Sequence, residues 1–365
     1  MTDSNITNDR LRMPAEWEPQ NAVQLTWPHE ATDWQPILAE ITQTYVEMAI
    51  EIARRQRLLI VAPAPEEALE QIRRGGATEE MMGRITTLAC PTDDTWARDH
   101  GFITLTDDRR GLRLLDFCFN GWGRKFEAAL DNAINGRLHE AGIVVGEYEN
   151  HLDFVLEGGS IESDGRGTVF TTTGCLMAPN RNQPMTQAEI EVELKRRLHA
   201  RRIVWIDHGN LTGDDTDGHI DTLVRVAPGD TLLYVGCDDP EDEQYDELRR
   251  MEEQLRTLRT SDGRPFRLLR LPSPSPIYDD DGERLPATYA NFLVVNGAVL
   301  CPTYAQPDAD SEALRIIAEA FPDRETVGID CRSVIRQHGS LHCCTMQYPS
   351  LPALRDGEET EKNFI

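Results

Sequence analysis

Five short stretches hold the side chains that could do chemistry. Asp93-Asp94-Thr95-Trp96-Ala97-Arg98-Asp99-His100-Gly101 is acidic and carries a histidine, and Leu156-Glu157-Gly158-Gly159-Ser160 sets a glutamate on a glycine pair. Gly213-Asp214-Asp215-Thr216-Asp217-Gly218-His219-Ile220-Asp221 adds a second histidine among carboxylates. Tyr289-Ala290-Asn291-Phe292 and Gly339-Ser340-Leu341-His342-Cys343-Cys344-Thr345 complete the set. A thiol can attack covalently, an imidazole can move protons, and several carboxylates can grip a cation. Each stretch alone has a plainer reading: a turn, a small buried hydrophobe, or a solvated acidic loop. Chemistry needs them at one spot.

Other chemistries fit poorly. If Gly218 is the required glycine of a calcium loop, the first ligand position falls on Gly213 and the twelfth on Val224, so that motif fails. His219 with Asp221, and His342 with Cys343, lack the paired spacing of zinc ligands. No G-x-S-x-G elbow supports a serine nucleophile.

The elements around these stretches repeat. Apolar residues at i, i+3, i+4 spacing predict helices over 34–56, 126–141, 187–200, 241–258 and 309–320. Each is followed by a β-rich run, at 58–62, 143–148, 202–207, 266–271 and 325–331. Hairpins fall between, with tips at Asp107-Asp108-Arg109-Arg110-Gly111, Asp164-Gly165-Arg166-Gly167, Pro228-Gly229 and Asn296-Gly297. The result is an α/β chain of about five ββαβ units, the last completed across the two termini. Such a repeat closes most simply into a five-bladed α/β propeller, which would bring the five stretches around one cavity. An αβ sandwich with irregular insertions is the alternative. No linker divides the chain, so a single domain is expected over 13–355, with loose termini at 1–12 and 356–365.

Composition narrows the partners. Among 365 residues, Asp and Glu outnumber Lys and Arg 63 to 37, for a formal charge of −26. That field disfavours nucleic acid and anionic membranes and suits a cationic small molecule. No apolar run approaches a membrane span, and residues 1–12 do not resemble a secretion signal. Eight scattered cysteines without C-x-x-C spacing read as reduced thiols, hence a cytoplasmic protein.

The motifs together resemble a known family. Met13-Pro14-Ala15-Glu16-Trp17-Glu18-Pro19 with Trp27-Pro28-His29 is similar to the N-terminus of the agmatine deiminases. These group with the bacterial-type peptidylarginine deiminases in the guanidino-group-modifying superfamily. Trp96-Ala97-Arg98-Asp99, Asn120-Gly121-Trp122-Gly123, Leu156 to Ser160, Asp215 to Asp221 and His342-Cys343-x-Thr345 match in order, over about 13–349. The resemblance implies the pentein fold, a five-bladed α/β propeller.

It also implies roles. Cys343 would be the nucleophile and His219 the general acid and base, with Glu157 orienting His219 and Asp99 and Asp221 clamping the guanidinium. Trp96, Asn291 and Asp217 would contact the substrate. Carboxylates suit a guanidinium because it stays charged and presents planar pairs of donors. The implied reaction converts agmatine to N-carbamoylputrescine and ammonia through an S-amidino-cysteine, toward putrescine, without metal or organic cofactor. Ser340 and Met346 depart from the family pattern, where Asn and Gln are common, and Cys344 stands where an aliphatic residue is usual. Strand alternation would point Cys343 and Cys344 to opposite faces. Deimination of peptidylarginine or free arginine is the alternative, and free arginine would need an inward arginine such as Arg98 or Arg181. Amidino transfer to an amine and non-catalytic binding complete the set, and a homodimer is the default assembly.

Overall fold

The computed structural model describes residues 11–107 and 111–349. Five sheets share one plan: two antiparallel strands, a helical crossover, then a third strand parallel to the second. One sheet joins Ile103–Thr106, Leu112–Cys118 and Glu147–Val155, and the next joins Ile161–Ser163, Thr168–Thr172 and Arg202–Ile206. Val224–Ala227, Thr231–Val235 and Arg267–Leu271 form another, as do Leu293–Val295, Ala298–Thr303 and Glu325–Asp330. The remaining sheet joins the two ends of the chain. Gln20–Thr26 runs antiparallel to Thr345–Pro349 and parallel to Arg57–Ala62. The chain is therefore mixed α/β, and the repeat expected across the termini is present.

The crossover helices form for local reasons and stay for tertiary ones. Leu38–Ala53 buries Ile41, Tyr45, Met48, Ala49 and Ile52 along one stripe. Gln187–Arg197 starts with a capping box between Thr186 and Glu189, and Pro307–Ala320 starts with proline in its first turn. Tyr245–Thr257 buries Leu248, Met251 and Leu255 against the sheet beginning at Val224. Their apolar faces and the sheets make a large core cluster around Trp34, Tyr45 and Tyr289, with smaller ones beside it.

Three expectations shift. The helix read over 126–141 is only Asp131–Ala133 in a 3-10 turn and Ile134–Glu140. Ahead of it Gly121, Trp122, Gly123 and Arg124 all have φ between 54° and 85°, a left-handed run no helix accommodates. The strand read over 143–148 begins at Glu147 instead, just after Gly146, where a Cβ would lie 2.8 Å from Leu114 Cγ. Ile143 and Val144 serve a core cluster rather than the ladder. The sheet that joins the chain ends also gains a fourth strand, Ile85–Ala89, through the helices Pro65–Arg74 and Glu79–Met82. The proline and acidic first turn and the basic last turn of Pro65–Arg74 were the available signal for that addition.

Arg12, expected in a loose terminus, bridges to Thr106 and pairs with Glu18 at 2.6 Å. The rest of the expected termini, 1–10 and 356–365, lies outside the described residues, as do 350–355 of the expected domain and the hairpin tip 108–110. Among the described residues no helix is long and apolar enough to cross a membrane.

The pairing of the chain ends is a stability element. Tyr348 is fully buried on the last strand and donates to Gln24 Oε1 on its neighbour at 2.8 Å. Tyr348→Ala is expected to cost about 3 kcal/mol or more by urea unfolding, from lost burial and an orphaned Gln24.

Candidate active site

Every candidate stretch lies in the turn that enters the first strand of a sheet. Ala97–His100 precedes Ile103–Thr106, Gly158–Ser160 precedes Ile161–Ser163, and Ile220–Thr222 precedes Val224–Ala227. Asn291 comes just before Leu293–Val295, and His342–Cys344 before Thr345–Pro349. The strands that follow are largely buried, and the reactive side chains gather in the turn at one end of each. Gly159 lets them meet: a Cβ there would lie 2.6 Å from His219 Nδ1, 2.9 Å from Asp99 Oδ1 and 3.2 Å from Asp221 Oδ2. Only glycine leaves that space.

A cavity of about 230 Å³ opens onto this centre, lined by Asp94, Trp96, Asp99, Trp122, Asp215 and Cys343 among others. The Cys343 sulfur lies 3.4 Å from Asn291 Oδ1 and 3.8 Å from Asp221 Oδ2. His219 is fully buried, with Nδ1 3.7 Å from Asp99 Oδ1 and neither ring nitrogen hydrogen-bonded. Asp99 accepts from Trp122 Nε1 at 2.8 Å and from the Gly159 amide at 3.0 Å. Glu157 Oε1 accepts from Arg181 Nε at 3.0 Å, while its Oε2 has no partner. Asp221 Oδ2 faces His342 Nδ1 at 2.8 Å and leaves Oδ1 unpartnered.

Electrostatics follow from this burial. Desolvation, then the carboxylates of Asp221 and Asp99, push the Cys343 thiol well above its ordinary range. Burial opposes charge on His219 too, but Asp99, then Cys175 and Glu157, outweigh it and raise its pKa well above the usual value. Asp99 is raised by burial, with His219 offsetting part of the shift. Burial also works against ionised Asp221, and His342 overcomes it, so that this carboxyl is lowered. The environment thus favours a neutral thiol and a cationic imidazole, beside carboxylate oxygens without a protein partner.

Comparison with known proteins agrees with this chemistry. Residues 12–349 match the Porphyromonas-type peptidyl-arginine deiminase family. The chain belongs to that family. An agmatine deiminase of Pseudomonas putida is 34% identical over 94% of this chain and 96% of its own length. A variant of C. jejuni agmatine deiminase with substrate bound is 35% identical, covering 97% of this chain and 100% of that one, with a TM-score of 0.86. A Porphyromonas gingivalis protein provisionally described as an arginine deiminase is 48% identical over 94% of this chain and 100% of its own (TM-score 0.89).

In this deiminase-family chain the residues expected at the site do not all reach the cavity. Cys343, Asp99 and Trp96 line it. His219, Glu157 and Asp221 are fully buried around the same point. Asn291 packs behind the cysteine, accepting from the His342 amide at 2.9 Å. Asp217 is held by Arg181 at 2.6 Å and Lys125 at 2.9 Å, outside the cavity wall. Arg98 and Arg181 are likewise not cavity residues. Arg181 spans Glu157, Asp217 and the Thr216 carbonyl, and Arg98 packs against the His342 carbonyl and Met346. Cys344 points into the core, its thiol 3.4 Å from the Ser340 carbonyl, and a 3-10 turn rather than strand alternation separates it from Cys343. Ser340 itself meets the Tyr304 hydroxyl at 3.0 Å.

Several residues near the centre had no role in the sequence reading. Trp122, in a motif quoted only for resemblance, holds Asp99 and lines the cavity, and the left-handed run around it aims its indole. Cys175 was a lone cysteine without a signal, yet its sulfur lies within 4.8 Å of His219 and Glu157 ligand atoms. Glu157, Cys175 and His219 form one group of metal-ligating types, and Glu16, Glu162 and His342 form another. In each a guanidinium already supplies positive charge, Arg181 on Glu157 and Arg225 on Glu16 and Glu162.

The thiol's environment is directly measurable. Alkylation of Cys343 by iodoacetamide, followed by mass spectrometry, is expected to rise about tenfold per pH unit up to pH 9 without a plateau, since only the thiolate reacts. A plateau below pH 8 would contradict this environment.

Proposed function

We propose that this chain hydrolyses a guanidino C–N bond of agmatine, giving N-carbamoylputrescine and ammonia. The carrying observation is the pair of buried carboxylate oxygens without partners near Cys343, Glu157 Oε2 and Asp221 Oδ1. Buried polar atoms demand partners, and a guanidinium supplies N–H donors in a planar fork that matches carboxylates. The deiminase relatives support the same reading.

In the mechanism we derive, Asp99, Asp221 and Glu157 hold the guanidinium with its central carbon toward Cys343. The substrate's positive charge favours loss of the thiol proton, which leaves to solvent. Sulfur then bonds to carbon, the C=N electron pair moving onto nitrogen. Cationic His219 gives its proton to one NH₂ group, and the C–N bond breaks to release ammonia. The S-amidino group left on Cys343 is attacked by water, with neutral His219 taking a proton. Collapse breaks the C–S bond, frees the ureido product and returns the thiolate. The second proton goes to solvent, so one water is consumed and one ammonium is formed.

The wall of the cavity favours a second cation. Asp33, Asp94 and Asp215 line it, whereas the lining Arg336 is 3.1 Å from Asp280. An ammonium meets attraction there and an α-carboxylate meets repulsion. The five-sheet repeat and the joined termini support a closed five-bladed propeller formed by one domain. Eight free thiols support a cytoplasmic location.

The decisive assay measures ammonia and ureido product from agmatine, free arginine and a blocked arginine peptide. Turnover of agmatine alone is expected, with Cys343→Ala reducing it by roughly 10³-fold or more. Turnover of arginine alone would overturn the substrate, and activity surviving the substitution would overturn the mechanism. A product changed by added amine would indicate amidino transfer.

Asp94 gives a pH signature. Burial raises its pKa to about 7, with the Trp96 and Thr95 hydrogen bonds opposing. The anion that attracts the ammonium is present above that pH and lost below it. KM for agmatine is expected to climb as pH falls through 7, and Asp94→Asn to raise KM about tenfold at pH 8 and flatten this climb.

A further inference from the structure

His342, next to the nucleophile, has no part in the steps above, yet it is the most heavily tied residue of its turn. Its ring is buried, with Nδ1 2.8 Å from Asp221 Oδ2 and Nε2 2.8 Å from Glu16 Oε2. Its amide donates to Asn291 Oδ1 at 2.9 Å, and its carbonyl accepts from Thr345 Oγ1 at 2.9 Å. Glu16 is equally fixed: Oε1 accepts from the Val294 amide at 2.7 Å and Oε2 from Arg225 Nη2 at 2.6 Å. Arg225 Nη2 also lies 3.1 Å from His342 Nε2, and both groups converge on the same Glu16 oxygen. Arg225 is clasped further by Glu162 and by the carbonyls of Ala290 and Phe292. The charged groups around the ring are therefore Asp221, Glu16, Arg225 and, beyond them, Glu162 and Arg98.

We infer that His342 is a positioning residue that ties Glu16 to Asp221 and so aims the Asp221 carboxylate at the guanidinium site beside Cys343. The inference rests on the proposed deiminase reading for the identity of the occupant. Commitment of Oδ2 to the ring prevents the carboxylate from rotating and leaves Oδ1 as the oxygen with free lone pairs. It also offsets the repulsion between Asp221 and Asp99, which both approach the Gly159 gap. The tie crosses the whole chain, because Glu16 precedes the first strand while His342 precedes the last.

The test compares wild type, His342→Gln and Glu16→Gln, in the full chain, for agmatine turnover across pH 5 to 9. Without the ring, Asp221 Oδ2 loses its 2.8 Å partner and the carboxylate is free to turn away from the guanidinium site. Expected is a fall in kcat/KM of about tenfold or more at pH 8 in His342→Gln, carried mainly by KM, with a smaller fall in Glu16→Gln and the Asp94-dependent climb of KM kept in both. A loss in both variants that falls on kcat alone, with KM at the wild-type value, overturns the inference, since a residue that only packs the turn would lower the amount of active enzyme without weakening the guanidinium clamp. So does a His342→Gln enzyme with wild-type kcat/KM. Should His342→Gln fail to fold, Glu16→Gln carries the same readout from another segment. Proton NMR of the substrate-free protein separates the two readings. Downfield imidazole N–H resonances lost in His342→Gln and displaced in Glu16→Gln support the tie, even if wild type releases no ammonia from agmatine. Their absence from wild type overturns it.

Discussion

The arrangement depends on burying several carboxyl groups at one point, where each needs a partner in place of water. A carboxyl taken out of water protonates unless a cation or donor holds its charge. Here each has its own partner: Arg181 for Glu157, His342 for Asp221, Trp122 and the Gly159 amide for Asp99, and Arg225 for Glu16 and Glu162. Removing one member of such a set leaves an uncompensated buried charge, which costs far more than the pair contributes. This explains why so few of the buried ionisable groups touch the cavity itself. Most of them are bound to one another around the few that do.

The same constraint shapes the backbone. Five turns must approach within hydrogen-bonding distance, and side chains at the crossing point would keep them apart. The glycine pair at 158–159 removes that obstacle, and the left-handed run at 121–124 turns an indole onto Asp99 where a helix would have carried it away. Sheets of one plan, each entered by a turn at the same end, make the approach possible. Local strain at 121–124 is held by tertiary bonds, with Lys125 reaching the Asp215 carbonyl and Asp217.

Partial satisfaction separates holding from binding. Glu157 and Asp221 each commit one oxygen to the protein and leave the other without a partner. A fully satisfied network would be more stable and inert, and an unpaired one would protonate. One oxygen held and one left over gives an oriented acceptor, which is the preorganisation a cationic ligand requires.

Much of this was legible in the sequence, because it is local. Helical spacing, turn residues and their recurrence specify a repeated α/β unit, and the reactive residues fall at one phase of it whatever the packing. The types Cys, His, Asp and Glu, with the quoted motifs, carry the chemistry and the resemblance. Choices between similar residues were not legible, because their partners lie far away in the chain. Glu16 and His342 are 326 positions apart, and nothing local distinguishes Glu16 from Glu18. Only the tertiary structure turned Arg181 and Arg98 away from the cavity, sent Cys344 into the core and Cys343 to the surface of the pocket, and tied Asp217 to a neighbouring lysine. Residue type sets what a side chain is able to do. Which of its atoms remains free to do it is decided by the non-local neighbours that bind the others.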